Sequence, residues 1–155
     1  MKKKLIILTG PTAVGKTDLS IRLARTVGGE IISADSMQVY RRMDIGTAKI
    51  RPEEMDGVRH HLIDILEPTE SFNAFLFKEY ALKAANEIWE RGSIPIIVGG
   101  TGFYIQTLLY DIEFAKSDEN DGIRDELNKL YEEHGAAFLH DMLAKVDPAD
   151  RAQAV

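Results

Sequence analysis

An α/β fold, a parallel sheet with flanking helices, is what this sequence predicts, followed by a small all-helical lobe. Three observations carry that expectation. Apolar runs of strand length alternate with amphipathic runs of helical period from Lys3 to Leu109. A glycine-rich segment, GPTAVGKT at Gly10 to Thr17, joins the first strand pattern to the first helical one. Beyond Gly122 the pattern is helical throughout. Strands that alternate with helices are joined by crossovers and therefore run parallel.

The elements follow in order. Lys3 to Thr9 climbs into Leu5, Ile6, Ile7 and Leu8, a strand, and Leu19, Leu23 and Val27 then recur every four residues on a helix that stops at Gly28-Gly29. Glu30 to Ala34 is a second short strand ending at Asp35, and after a loop through Gly46 and Pro52 a third spans His61 to Leu66. Ser71 is positioned to cap a helix whose apolar face is Phe77, Tyr80, Ala81, Ala84, Ala85 and Ile88, ending near Gly92. Pro95 to Val98 is the fourth strand, running into Gly99-Gly100-Thr101-Gly102, and Phe103 to Leu109 starts a further helix. The polar stretch Asp111 to Gly122 reads as a hinge. Ile123, Leu127, Leu130 and Tyr131 then form one helical stripe, and Phe138, Leu139, Met142 and Leu143 a second, with a break at Gly135 and a stop before Pro148. Four strands are one short of the usual phosphate-loop sheet and the final residues carry no stop signal, so a truncated chain is expected.

Bulk properties exclude several classes. A chain of 155 residues with 45% hydrophobic content can bury a core within one domain. No membrane span and no secretory leader is legible, which with zero cysteines points to a reducing, cytoplasmic setting. The four histidines lack zinc spacing: His60 and His61 point to opposite faces of a strand, and His134 and His140 stand alone. A net charge of -6 opposes a general nucleic-acid binder, although Arg41, Arg42 and Lys49 form a local basic cluster or, alternatively, a solvated loop.

The segment Gly10-Pro11-Thr12-Ala13-Val14-Gly15-Lys16-Thr17 fits the G-x-x-x-x-G-K-[ST] phosphate loop, in the strand-to-helix context that gives the pattern meaning. Its N–H groups and the helix N-terminus cradle an anion, Lys16 adds a cation, and Thr17 is the expected Mg²⁺ hydroxyl. A glycine-rich turn without ligand is the bland alternative. Two more segments are expected at the carboxyl ends of the strands, where open parallel sheets bind ligands. One is Asp35-Ser36-Met37-Gln38, whose carboxylate is a general base on an incoming nucleophile, a water-mediated Mg²⁺ holder, or merely a turn cap. The other is Gly99-Gly100-Thr101-Gly102, where the Thr101 hydroxyl can donate to a phosphate oxygen or substrate, or the glycines simply make a turn. Many phosphate-loop hydrolases carry an acid at that strand end, and its replacement by Gly and Thr favours group transfer.

With GPTAVGKT, ISADSMQVY at Ile32 to Tyr40, MDIGTAK at Met43 to Lys49, VGGTGFY at Val98 to Tyr104 and DPADR at Asp147 to Arg151 in the same order, the chain resembles the tRNA dimethylallyltransferase (isopentenyltransferase) family. The resemblance implies a phosphate loop that grips the pyrophosphate of dimethylallyl diphosphate and an acceptor that is the exocyclic amine of the adenosine 3′ of certain tRNA anticodons. It implies Asp35 as base and Lys16, Thr17 with Mg²⁺, and Thr101 as the groups that stabilise the departing pyrophosphate. It further implies Asp35, Ser36, Met37, Gln38, Thr101 and Arg124 as tRNA contacts. On physical grounds a flat side chain such as Met37 or Tyr40 could stack on the base, the alternative being plain packing. Residues 1–112 are then the transferase core and 113–155 the start of an incomplete helical tRNA-binding lobe, in a protein expected to be monomeric. Because family members are considerably longer, weak or absent transfer by the 155-residue chain alone is expected. Two other readings stand beside it: a small-molecule or nucleoside kinase, for which the lobe offers only Arg124 and Arg151 as lid arginines, and a non-catalytic nucleic-acid-binding module.

Overall fold

The computed structural model describes residues 3–110, 112 and 121–146. The element order is β1 (Ile6–Thr9), α1 (Lys16–Val27), β2 (Gly29–Ser33), a 3₁₀ turn at Pro52–Glu54, β3 (His60–His61), α2 (Ala74–Glu90), β4 (Ile94–Gly99), α3 (Gly102–Leu109) and α4 (Asp121–Val146). The chain divides into two compact units, 1–113 and 114–155. In the first, four parallel strands lie in the order β1-β4-β2-β3.

The two faces of this sheet follow from strand alternation. Ile31 and Ile96 pack with Ile21 and Ala24 of α1 and with Ile50 and Val58. Their neighbours Ile32 and Ile97, also fully covered, point to the opposite face, where α2 contributes Phe77, Ala81, Ala84, Ala85 and Ile88. Burying such side chains contributes about 1.5–3 kcal/mol each. On α1 the covered stripe is Ser20, Ile21 and Ala24, with Leu23 and Val27 at its margin and Leu19 48% exposed. Of the four-residue repeat in the sequence, Leu23 and Val27 thus pack against this core and only Leu19 falls outside it.

Other departures are local. The expected third strand from His61 to Leu66 is only His60–His61, because Leu62 (φ 63°) and Asp64 (φ 54°) adopt left-handed backbone that no strand tolerates. The chain resumes pairing at one bridge, Tyr40 with Leu66. The cap of α2 is Asn73, whose side chain accepts from the Leu76 N–H at 3.0 Å, and not Ser71. β1 starts at Ile6 and not Lys3.

In the second unit α4 is broken at Gly135 (φ 77°, ψ 176°), as the two apolar stripes predict. Ile123, Leu127, Tyr131 and Phe138 remain 38–55% exposed. Most of the expected hinge at Asp111 to Gly122, the DPADR segment and the final residues lie outside the described residues. Among the described residues no helix is long and apolar enough to cross a membrane.

Candidate active site

β1, β4 and β2 are adjacent and parallel, so their carboxyl ends release three segments side by side: the phosphate loop after Thr9, Gly100-Thr101 after Gly99, and Asp35 to Gln38 just after Ser33. Together they line one cleft of about 670 Å³. Gly10, Pro11, Thr12, Ala13, Gly15, Lys16 and Thr17 contribute from the loop, Asp35, Ser36, Met37 and Gln38 from the turn after β2, and Thr101 from the end of β4. Val14 is 60% exposed and does not line it. The side chain of Arg124 lies outside what the structure describes.

Each segment is shaped by local chemistry. Gly15 caps α1 at φ 82°, a left-handed conformation suited to glycine, and with Lys16 and Thr17 it puts the N-terminus of α1 at the cleft. Lys16 donates from Nζ to the carbonyl oxygens of Gly10, at 2.8 Å, and of Pro11. The ammonium therefore rests against the first turn of its own loop, with one further N–H for an acceptor in the cleft. Thr17 follows in the first turn of α1.

Asp35 is both a cap and a cleft residue. Its Oδ1 accepts from the N–H groups of Met37 at 2.8 Å and Gln38 at 3.2 Å, an Asx turn, which fixes the carboxylate and leaves Oδ2 for an external donor. Gln38 is held too: Ser33 Oγ donates to its Oε1 at 3.4 Å, and its Nε2 donates to Ala48 O at 3.2 Å. Gly99 sets the spacing of these strand ends. A Cβ there would sit 2.2 Å from the Ala34 carbonyl oxygen, so only glycine lets β4 pass the exit of β2 this closely. Thr101 precedes α3 at the N-cap position, but its side chain makes no cap hydrogen bond.

Several lining residues were not singled out individually from the sequence. Ile31, Ile50, Ile63 and Val98 give the cleft an apolar inner wall beside Ser20, Thr47, Ala48 and His60. His60 Nδ1 donates to Val58 O at 2.9 Å, and burial pushes its pKa below the usual imidazole range, against the smaller opposing effect of that hydrogen bond. Its neutral ring presents Nε2 as an acceptor. The motif Met43 to Lys49 was the one available signal for Thr47 and Ala48.

The expected basic cluster at Arg41, Arg42 and Lys49 is not a free cationic patch. Arg41 and Arg42 both pair with Glu67, and Arg41 Nε also donates to Asp64 O at 2.9 Å. Lys49 Nζ is bound by Tyr40 O at 2.7 Å, Asp44 Oδ1 at 2.7 Å and Asp64 Oδ1 at 2.6 Å, with its side chain 5% exposed. Burial pulls this ammonium down, but the two carboxylates outweigh it and its pKa is raised. Its neighbours complete all of its donors, so it has none for a phosphate backbone.

The family model described as IPP transferase matches residues 38–154. This chain belongs to that family. The phosphate loop and Asp35 precede the matched span, but lie within the 99% of the chain that aligns at 50% identity with the tRNA dimethylallyltransferase of Geobacillus thermodenitrificans, 49% of which is covered. The corresponding protein of Lachnoclostridium phytofermentans is 61% identical over 144 residues, 93% of this chain and 46% of that protein. Among solved structures, the full-length tRNA isopentenylpyrophosphate transferase of Bacillus halodurans superimposes with a TM-score of 0.72 at 49% identity, over 99% of this chain and 51% of that one. A eukaryotic dimethylallyltransferase crystallised acting on tRNA gives 0.87 at 36% identity, over 99% and 38%. This chain thus spans about half the length of the curated relatives it matches.

Proposed function

We propose that this chain carries the catalytic core of an enzyme that transfers a dimethylallyl group from dimethylallyl diphosphate to the N6 amine of an adenosine 3′ of a tRNA anticodon, releasing pyrophosphate. The observation that carries this reading is a cleft lined by a phosphate loop leaving β1 and the Asp35 carboxylate following β2, on either side of β4, whose end brings Thr101 between them. The names of the relatives agree with it, and nothing in them favours a kinase.

The proposed roles follow from charge. Breaking the carbon–oxygen bond of the donor leaves pyrophosphate, whose growing negative charge is met by the loop N–H groups, by the Lys16 ammonium and by the Thr101 hydroxyl. The adenine amine attacks the allylic carbon as that bond breaks, and its proton passes to Asp35 Oδ2. An adenine stacked in a helix cannot reach a carboxylate held in an Asx turn, so the base enters extruded, against the wall formed by Ser36, Met37 and Gln38. Met37, 42% exposed at the cleft, is the stacking surface.

Mg²⁺ fits this donor set. Among the described residues no group of three or more acidic or histidine side chains could hold a metal by itself, and Mg²⁺ ordinarily relies on substrate phosphates and water with one or two protein ligands. Thr17 is the proposed protein ligand; the ion would supply neutralisation of the diphosphate. Residues 113–155, with Arg124, are proposed as the start of a helical tRNA-binding lobe, in a monomeric, cytoplasmic protein.

The test is transfer from labelled dimethylallyl diphosphate to tRNA, compared with Asp35→Asn. In single turnover, with the chain in large excess over tRNA so that weak transfer is read, the proposal expects label in tRNA that the variant reduces by about 100-fold or more, with tRNA binding retained. Equal incorporation by both proteins would remove Asp35 from the chemistry.

A further inference from the structure

Lys49 lies outside the cleft lining, yet it is the point at which three segments forming one wall of the cleft are joined. Its ammonium reaches Tyr40 O in the segment after β2, Asp44 in the following loop and Asp64 in the segment after β3. These same segments are laced by backbone bonds: Asp64 N–H to Gln38 O at 3.1 Å, Ile65 N–H to Val39 O at 2.9 Å and Arg41 N–H to Leu66 O at 2.8 Å. The Gln38 side chain adds the link to Ala48. Left-handed backbone at Ala48 (φ 49°) and Asp64 (φ 54°) is strained for such residues and persists only where neighbours hold it. An ammonium with three acceptors converging on it is such a hold, whereas an unpaired covered ammonium would be costly.

We infer that Lys49 is a positioning residue of the proposed transferase site: by binding Tyr40, Asp44 and Asp64 at once, it holds the Asp35–Gln38 turn and the Thr47–Ile50 wall so that both face the phosphate loop. The inference rests on the reading of the cleft given above. It assigns Lys49 no contact with donor or acceptor. The raised pKa of Lys49 agrees, since the charge is maintained throughout the physiological range.

The test uses the chain itself with Lys49→Met, which keeps most of the length of the side chain and removes the ammonium, and with the milder Asp64→Asn. Amide hydrogen exchange reports the turn directly, because the Met37 and Gln38 N–H groups are the donors to Asp35. Pyrophosphate titration reports the phosphate loop, and adenosine titration the opposing wall. Lys49→Met should exchange Met37 and Gln38 at least about tenfold faster and Asp64→Asn in the same direction but less, with β4 amides unchanged, and both should bind adenosine more weakly. Their pyrophosphate affinity should stay within about twofold of the parent. Exchange at Met37 and Gln38 equal to the parent in both variants overturns the inference, as does acceleration spread evenly over β4, which would make Lys49 a general stabiliser. Failure of the unaltered chain to bind pyrophosphate is a different result and overturns the reading of the cleft instead.

Discussion

Lys16 and Asp35 each commit part of their hydrogen-bonding capacity to backbone, and this decides how their substitutions can be told apart. Asp35→Asn keeps a side-chain oxygen for the Met37 and Gln38 N–H groups, whereas Asp35→Ala leaves both donors without it. The alanine variant should therefore lose about 1–2 kcal/mol in urea unfolding and the asparagine variant little, while both lose transfer. Equal stability of the two would show that the Asx turn contributes nothing. Thr101→Ala, which removes a hydroxyl free of any cap bond, should slow transfer more than it weakens donor binding, and equal losses would make Thr101 a binding contact only. At this scale the phosphate loop was legible because its parts are contiguous. The role of Lys49 was not: its partner Asp64 lies 15 residues away, and nothing in the sequence distinguishes a lysine held by carboxylates from one reaching for nucleic acid.

The elements were legible where period and length agreed, as for α2 with its covered face and for β4. β3 was predicted too long because Leu62, Ile63, Ile65 and Leu66 form an apolar run like a strand, and left-handed backbone at Leu62 has no signal in residue type. The α2 cap was misplaced by two residues because Ser71 and Asn73 are both good caps and only the fold chooses. Asn73→Ala should cost about 1 kcal/mol in urea unfolding, and Ser71→Ala should cost less. Gly99→Ala tests how the strand ends meet. With Ala34 backbone atoms 2.2 to 2.6 Å from the new Cβ, β2 and β4 must separate, which should destabilise by about 1–3 kcal/mol and displace Asp35. An unchanged urea midpoint would contradict this close approach.

Across the first unit, Glu30 ties β2 to β3 and to the end of α2. Arg91 holds it through Nε at 3.0 Å and Nη2 at 2.8 Å, and His61 Nε2 lies 2.8 Å from it. The Arg91 hydrogen bonds, against an opposing effect of burial and with help from His61, lower the Glu30 pKa from 4.5 to about 2. A depressed carboxylate contributes stability that is complete above about pH 4.5 and lost as pH falls toward 2. Urea midpoints should fall more steeply over that window for the parent than for Glu30→Gln, and parallel curves would remove Glu30 from the acid response. The parallel order of the sheet was predictable from alternation at this scale, but the insertion of β4 between β1 and β2 was not, since sequence order carries no record of which strand enters last.

The central claim, that Gly10 to Thr17 grips a diphosphate opposite Asp35, is tested most directly by calorimetric titration of pyrophosphate into the chain and into Lys16→Ala. The chain should bind, and loss of the charge-assisted contacts, about 1.5–3 kcal/mol, should weaken binding roughly 10- to 100-fold. No binding by the parent, or equal affinity in the variant, would contradict it.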